Sequence, residues 1–192
     1  MTLQTDAAPV TPMPQRRGAT RAVVAGVALV LTCGLVAGLW HWRTGADVFV
    51  AGGGSAVDDD WPVGEAIYLG VAEEETDLRG DIEIREIEAD ILKDEAAVRV
   101  EYLLCTVDPS SGVGGVGSVR KSDIEEQCSE LVPAQGQRMT LNATPRQQLV
   151  MAVTPTRPGA ITIKGTTVSY DYGWRVGSEF LTVELVMEAV QP

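Results

Sequence analysis

The sequence is short of the residues that most catalytic and metal chemistry draws on. Its 192 residues include one histidine, His41, and three cysteines. That excludes most histidine-dependent catalysis and most zinc sites. Aromatic residues make up 5% of the chain, too few for the lined sugar cleft of a paired-carboxylate glycosidase, so a carboxylate-dependent hydrolase stays a remote alternative. Bases are scarce as well: 15 Lys and Arg stand against 27 Asp and Glu, a formal net charge of −12. A nucleic-acid binder needs a basic footprint to neutralise phosphates, which excludes that class.

Other motifs fail on spacing. The glycine-rich stretch 108–118, DPSSGVGGVGS, lacks the Gly-Lys-Ser/Thr ending of a P-loop and the strand-to-helix setting of a dinucleotide site. It reads as an exposed, mobile loop. Asp58-Asp59-Asp60 and Glu73-Glu74-Glu75 lack the spaced acids that wrap a loop around calcium, and read as solvated charge. Asn142-Ala143-Thr144 matches a glycosylation acceptor, a short pattern of little weight with Pro145 directly after it. We expect no catalytic residue, no metal site and no cofactor.

What the chain does contain is one long uncharged run. Residues 22–40 read AVVAGVALVLTCGLVAGLW, and 19 residues in a helix span roughly 28 Å, close to the thickness of a bilayer's hydrocarbon core. Trp40 and Trp42 sit where an aromatic belt would lie. Arg16, Arg17 and Arg21 precede the run and acidic residues follow its end. The positive-inside rule then places residues 1–21 in the cytoplasm and everything after the run outside the cell membrane. A cleaved signal would want a shorter run with a small-residue end in place of Trp-His-Trp. A lipoprotein signal ending at Cys33 would want a small residue in place of Thr32. An uncleaved single-pass signal-anchor is the reading that fits length and flanks. Within it Gly34-x-x-x-Gly38 could bring two helices together as a homodimer, although small residues are common in such spans.

The rest divides into a flexible acidic linker over 41–60, containing AGGGSAVDDD, and a domain over 61–192. From Asp47 onward there are 26 acids and 11 bases, so the displayed part is strongly acidic. Ile82, Ile84, Ile87, Ala89 and Ile91 alternate with polar residues, and the phase slips at Arg85-Glu86 as a β-bulge requires. Val98, Val100, Tyr102 and Leu104 alternate next, with Lys93-Asp94-Glu95 between the two runs as a hairpin turn. Leu149, Met151 and Val153 form a further run, as do Ile161 with Ile163, Val168 with Tyr170, and 180–187. Residues 66–71 read as the first strand. This pattern predicts a mainly β fold, an antiparallel immunoglobulin-like sandwich on one N-terminal transmembrane helix. Ser122-x-x-Glu125 reads as a capping box that opens a short helix over 123–130, with Ile124, Cys128 and Leu131 on one face.

Cys105 and Cys128 are the two cysteines outside the run. In an oxidising compartment they suggest one disulfide, closing a loop of about 24 residues and contributing roughly 3 kcal/mol. Glu125, Glu126 and Glu130 around Cys128 disfavour a reactive thiolate.

Residues 158–177 read PGAITIKGTTVSYDYGWRVG. Here the chain resembles a group of uncharacterised single-pass membrane proteins of high-GC Gram-positive bacteria, which carry a PG-x-I-x-I-x-G-x-x-V-x-Y-x-x-GWR-x-G signature near the C-terminus. The resemblance covers about 149–177 and implies one N-terminal span with a β-sandwich outside. Many of that group continue with Gln or Thr and a glycine, where this chain has Ser178-Glu179-Phe180. Alternation puts Tyr170, Tyr172 and Trp174 on one face and Arg175 on the other. The apolar face of Ile161, Ile163 and Val168 places Trp174 in the core. The competing reading makes Tyr170, Tyr172, Trp174 and Arg175 a partner-binding patch.

Together these features describe a membrane-anchored, surface-displayed, non-catalytic domain that binds a membrane or cell-envelope protein. The alternative is an accessory subunit that acts through its transmembrane helix.

Overall fold

Long strands that bury every second residue build the architecture. Over residues 181–189 Leu181, Val183, Leu185, Met187 and Ala189 are buried, while Thr182, Glu184, Val186 and Glu188 face outward. The computed structural model describes residues 33–40, 42–44, 47–50, 54–71, 73–74 and 77–192. In chain order the strands are β1 (Phe49–Val50), β2 (Ser55–Pro62), β3 (Ile67–Gly70), β4 (Glu73–Glu74), β5 (Gly80–Asp94), β6 (Arg99–Val107), β7 (Ser118–Val119), β8 (Cys128–Pro133), β9 (Arg138–Leu141), β10 (Gln147–Thr154), β11 (Gly159–Tyr172) and β12 (Arg175–Val190). One short helix spans Lys121–Gln127.

Two five-stranded sheets carry the fold. One has the order β2-β12-β11-β5-β9, the other β7-β3-β10-β6-β8, and β1 pairs with β4 separately. All pairings are antiparallel except that of β2, which runs parallel to β12 along its outer edge. Ile82, Ile84, Ile161, Ile163 and Leu185 from the first sheet share one core with Ile67, Leu104, Leu149, Met151 and Val153 from the second. Burying those apolar faces against each other is what joins the sheets, consistent with a β-sandwich.

β10 is buried along nearly its whole length, because it is covered on both faces. Leu149, Met151 and Val153 enter the main core, and Val150 joins a second cluster with Cys105, Val107, Val116, Ile124 and Cys128. The helix and the Cys105–Cys128 disulfide lie in that second cluster.

The chain divides into two units, Met1–His41 and Trp42–Pro192. In the first, residues 33–40, which hold Gly34 and Gly38, are helical and exposed. The rest of the expected span, 22–32, and the basic tail, 1–21, lie outside the described residues. Among the described residues no helix is long and apolar enough to cross a membrane.

Several local expectations change. Lys93-Asp94-Glu95 does not turn a hairpin, because β5 and β6 belong to different sheets. The chain crosses between sheets there, with Ala97 at φ 50° and the Val98 amide donating to Asp94 Oδ1 at 2.9 Å. The expected acidic linker contributes β2 from Ser55 onward, with Ala56 and Trp61 buried. Ser122 does not cap the helix: Arg120 holds the N-cap position without a side-chain bond, and Cys128 already begins β8. The glycine-rich loop is held in place at several points: Arg146 donates to the Gly114 carbonyl and the Gly70 amide to the Gly117 carbonyl, each at 2.9 Å. Gln148, itself buried, accepts from the Val116 amide at 2.6 Å and donates to the Val116 carbonyl at 3.2 Å. The bulge stands where the alternation slips. Glu86 pairs with Ser169 and Ile84 with Tyr170, leaving Arg85 as the extra residue.

Candidate functional site

Incomplete pairing at one side of the sandwich leaves two strand edges open. β9 covers β5 only from Gly80 to Glu83, and Ile84 completes its bonds with Gly136 and Gln137. Beyond Ile84, the outer edge of β5 has no strand beside it among the described residues. β8 covers β6 from Leu103 to Val107, and Ala134 donates to the Tyr102 carbonyl. The Arg99–Glu101 end of β6 is open in the same way.

Between these edges lies a groove of about 780 Å³. Ile87, Ala89 and Ile91 form one wall, Val98, Val100 and Tyr102 the other, and Glu88 and Glu101 set carboxylates along it. Ile91 and the adjacent Leu92 are exposed, 37% and 57%, an apolar pair on an edge otherwise guarded by Glu86, Glu88 and Asp90. Charged residues on an open edge discourage pairing with a second copy. An open edge beside a groove of mixed apolar and acidic lining suits an added strand, whose main chain extends the sheet while alternate side chains enter the groove.

One polar link crosses the sandwich at the groove. The buried Thr166 hydroxyl lies 2.8 Å from the Glu88 carbonyl and 2.7 Å from the Tyr102 hydroxyl, and hydrogen-bonds both. Burial pushes the Tyr102 hydroxyl up to about 12, against a smaller lowering by Thr166. Folded Tyr102 therefore keeps a proton that an unfolded tyrosine loses near 10. The unfolded chain binds fewer protons in that window, so stability is intact below it and falls as pH rises from about 10 to 12. Melting temperatures measured across this range should drop, and Tyr102→Phe should flatten part of the drop.

The residues singled out in the sequence do not gather at this groove. Cys105 and Cys128 are joined, with Cα atoms 5.5 Å apart. Tyr170 is fully buried, its ring edge-on to Phe49 at 5.7 Å, and its hydroxyl donates to the Glu179 carboxylate. Burial first, and then the bond to Glu179 and its charge, hold the Tyr170 hydroxyl far above the usual tyrosine range. Tyr172 is half-buried and donates to the Arg79 carbonyl at 2.6 Å. Trp174 departs from expectation. Gly173 turns the chain at φ 61°, which ends the alternation, and Trp174 stands 52% exposed at the tip of the β11–β12 hairpin. Its ring meets Trp42 edge-on at 4.4 Å, and Arg175 Nε donates to the Trp42 carbonyl at 3.2 Å.

Sequence reasoning missed the role of Glu179, two residues past the 158–177 stretch. Its carboxylate accepts from the Val48 amide at 2.7 Å, the Phe49 amide at 3.2 Å and the Tyr170 hydroxyl. It thereby fastens the start of the folded unit to β12. Among the described residues no three His, Cys, Asp or Glu side chains converge as a metal site.

No protein-family model matches this chain, and no curated protein matches it. Among solved structures, a family 123 glycoside hydrolase from Clostridium perfringens is similar at 8% identity and a TM-score of 0.34. The similarity covers 72% of this chain and 23% of that enzyme, a likeness too slight to bear on fold or activity.

Proposed function

We propose that this protein is a single-pass membrane protein displaying an acidic, non-catalytic interaction domain of immunoglobulin-like type outside the cell. In this reading the groove receives an extended segment of a membrane or cell-envelope protein. The observation that carries the reading is the groove itself: two open strand edges flank one trough that mixes apolar side chains with Glu88 and Glu101. Glu88 and Glu101 favour a segment that alternates apolar and basic side chains. The 19-residue uncharged run with arginines on one flank supports the anchor. The Cys105–Cys128 bond supports an oxidising compartment.

A photo-crosslinking residue placed at Ala89 or Ile91 in intact cells tests it. Those positions should capture a specific protein, whereas Val57, exposed on the opposite edge strand β2, should not. Equal capture at all three positions would contradict the reading. Replacing the uncharged run by an unrelated span separates the alternative, in which the helix does the work and the domain is a spacer. Capture at the groove should survive the exchange.

A further inference from the structure

The hairpin tip carries an exposed aromatic pair that the groove does not use. Trp42 and Trp174 are 57% and 52% exposed, although each rests on the other. A short turn needs no tryptophan, and Gly173 alone supplies its positive φ. We propose that Trp42 and Trp174 form a lipid-facing pair that seats this tip of the domain in the headgroup layer of the bilayer. The proposal rests on the anchor reading given above.

Chain connectivity carries the argument. Trp42 follows the last residue of the uncharged run, Trp40, by two positions. Two positions of chain reach about 7 Å at most, which in the anchor reading keeps Trp42 near the level at which the run ends. Ring contact at 4.4 Å brings Trp174 to that depth too, although 131 residues lie between the two. An indole suits that level, with an apolar body for the acyl boundary and an N–H for headgroup oxygens.

Charge favours the same end. Arg43 follows Trp42 and Arg175 follows Trp174, with the Arg175 guanidinium tied to the Trp42 carbonyl. From Asp47 onward acids outnumber bases 26 to 11, so anionic lipid repels most of the domain and attracts this tip. The seat also sets the height of the groove. Ile87 pairs with Val168 and Ile91 with Ile163. These lie six and eleven residues from Trp174, roughly 20–35 Å along the strand. The groove then faces partners that stand close to the membrane.

The test uses the full chain in vesicles of phosphatidylglycerol and brominated phosphatidylcholine, read by tryptophan fluorescence. Trp174→Phe leaves Trp40, Trp42 and Trp61 unchanged, so the difference between the two proteins isolates Trp174. With half its ring in water, this variant should melt with wild type. Lipid-borne bromine should quench roughly half or more of the Trp174 emission, and aqueous acrylamide should quench little of it. Trp174 emission quenched by acrylamide and untouched by bromolipid, in protein that floats with the vesicles, would overturn the proposal. The anchor would then stand and the pair would be left to a protein partner. Protein that fails to float with the vesicles would overturn the anchor reading and this proposal together.

Discussion

Tyr170→Ala should cost the domain about 3–5 kcal/mol and lower its melting temperature by roughly 10 °C. Tyr170 is among the largest fully buried side chains. Its ring fills the space between Phe49 and Gly177, where an added Cβ would collide with the ring. Truncation opens a cavity and also removes one of the three donors that satisfy Glu179. Tyr170→Phe keeps the ring and loses only the hydroxyl, so it should cost nearer 1 kcal/mol. A thermal melt of the protein in detergent separates the two variants. Equal melting of wild type and Tyr170→Ala would refute the packing described for this end.

Loss of the disulfide should be the second large effect. Cys105 and Cys128 are 23 positions apart, and opening that loop frees unfolded-chain entropy worth roughly 3 kcal/mol. The loop holds the glycine-rich stretch and the helix, whose Ile124 packs beside both cysteines. The double variant Cys105→Ala, Cys128→Ala should therefore melt well below wild type, with far-UV dichroism reporting the transition. Non-reducing mass spectrometry of the wild type should show the linked peptides. Two alkylatable thiols in freshly isolated protein, or a double variant that melts with wild type, would contradict this account.

The parts of the fold legible in the sequence are those where one physical rule acts alone. β5, β6, β10, β11 and β12 show through their apolar residues at every second position. Arg85 shows as a bulge because one extra residue reverses that parity. Cys105 and Cys128 show because few cysteines leave few pairings. The rest depends on neighbours distant in the chain. Residues 55–60 look like linker because Asp58-Asp59-Asp60 are poor strand formers, yet they join Trp61 and Pro62 in an edge strand that buries Ala56 and Trp61. Periodicity cannot say which sheet a strand joins, so the crossing at Ala97 resembles a hairpin turn.

Trp174 shows how a single glycine resets the reading. Parity counted from Tyr170 sends its ring inward, but Gly173 in the left-handed region ends the strand first. The groove has no sequence signal at all. It exists because β9 and β8 stop short of the ends of β5 and β6. Glu179 could have been found as a carboxylate interrupting the β-rich stretch that continues to residue 187.

Protease added to intact, wall-stripped cells tests the central proposal most directly, because the partner reading of the groove, the oxidising compartment and the tryptophan seat all depend on display outside the membrane. The account predicts that residues 61–192 are removed while the membrane stays sealed and the anchored stub stays cell-associated. Protection of that region until the membrane is broken would contradict it.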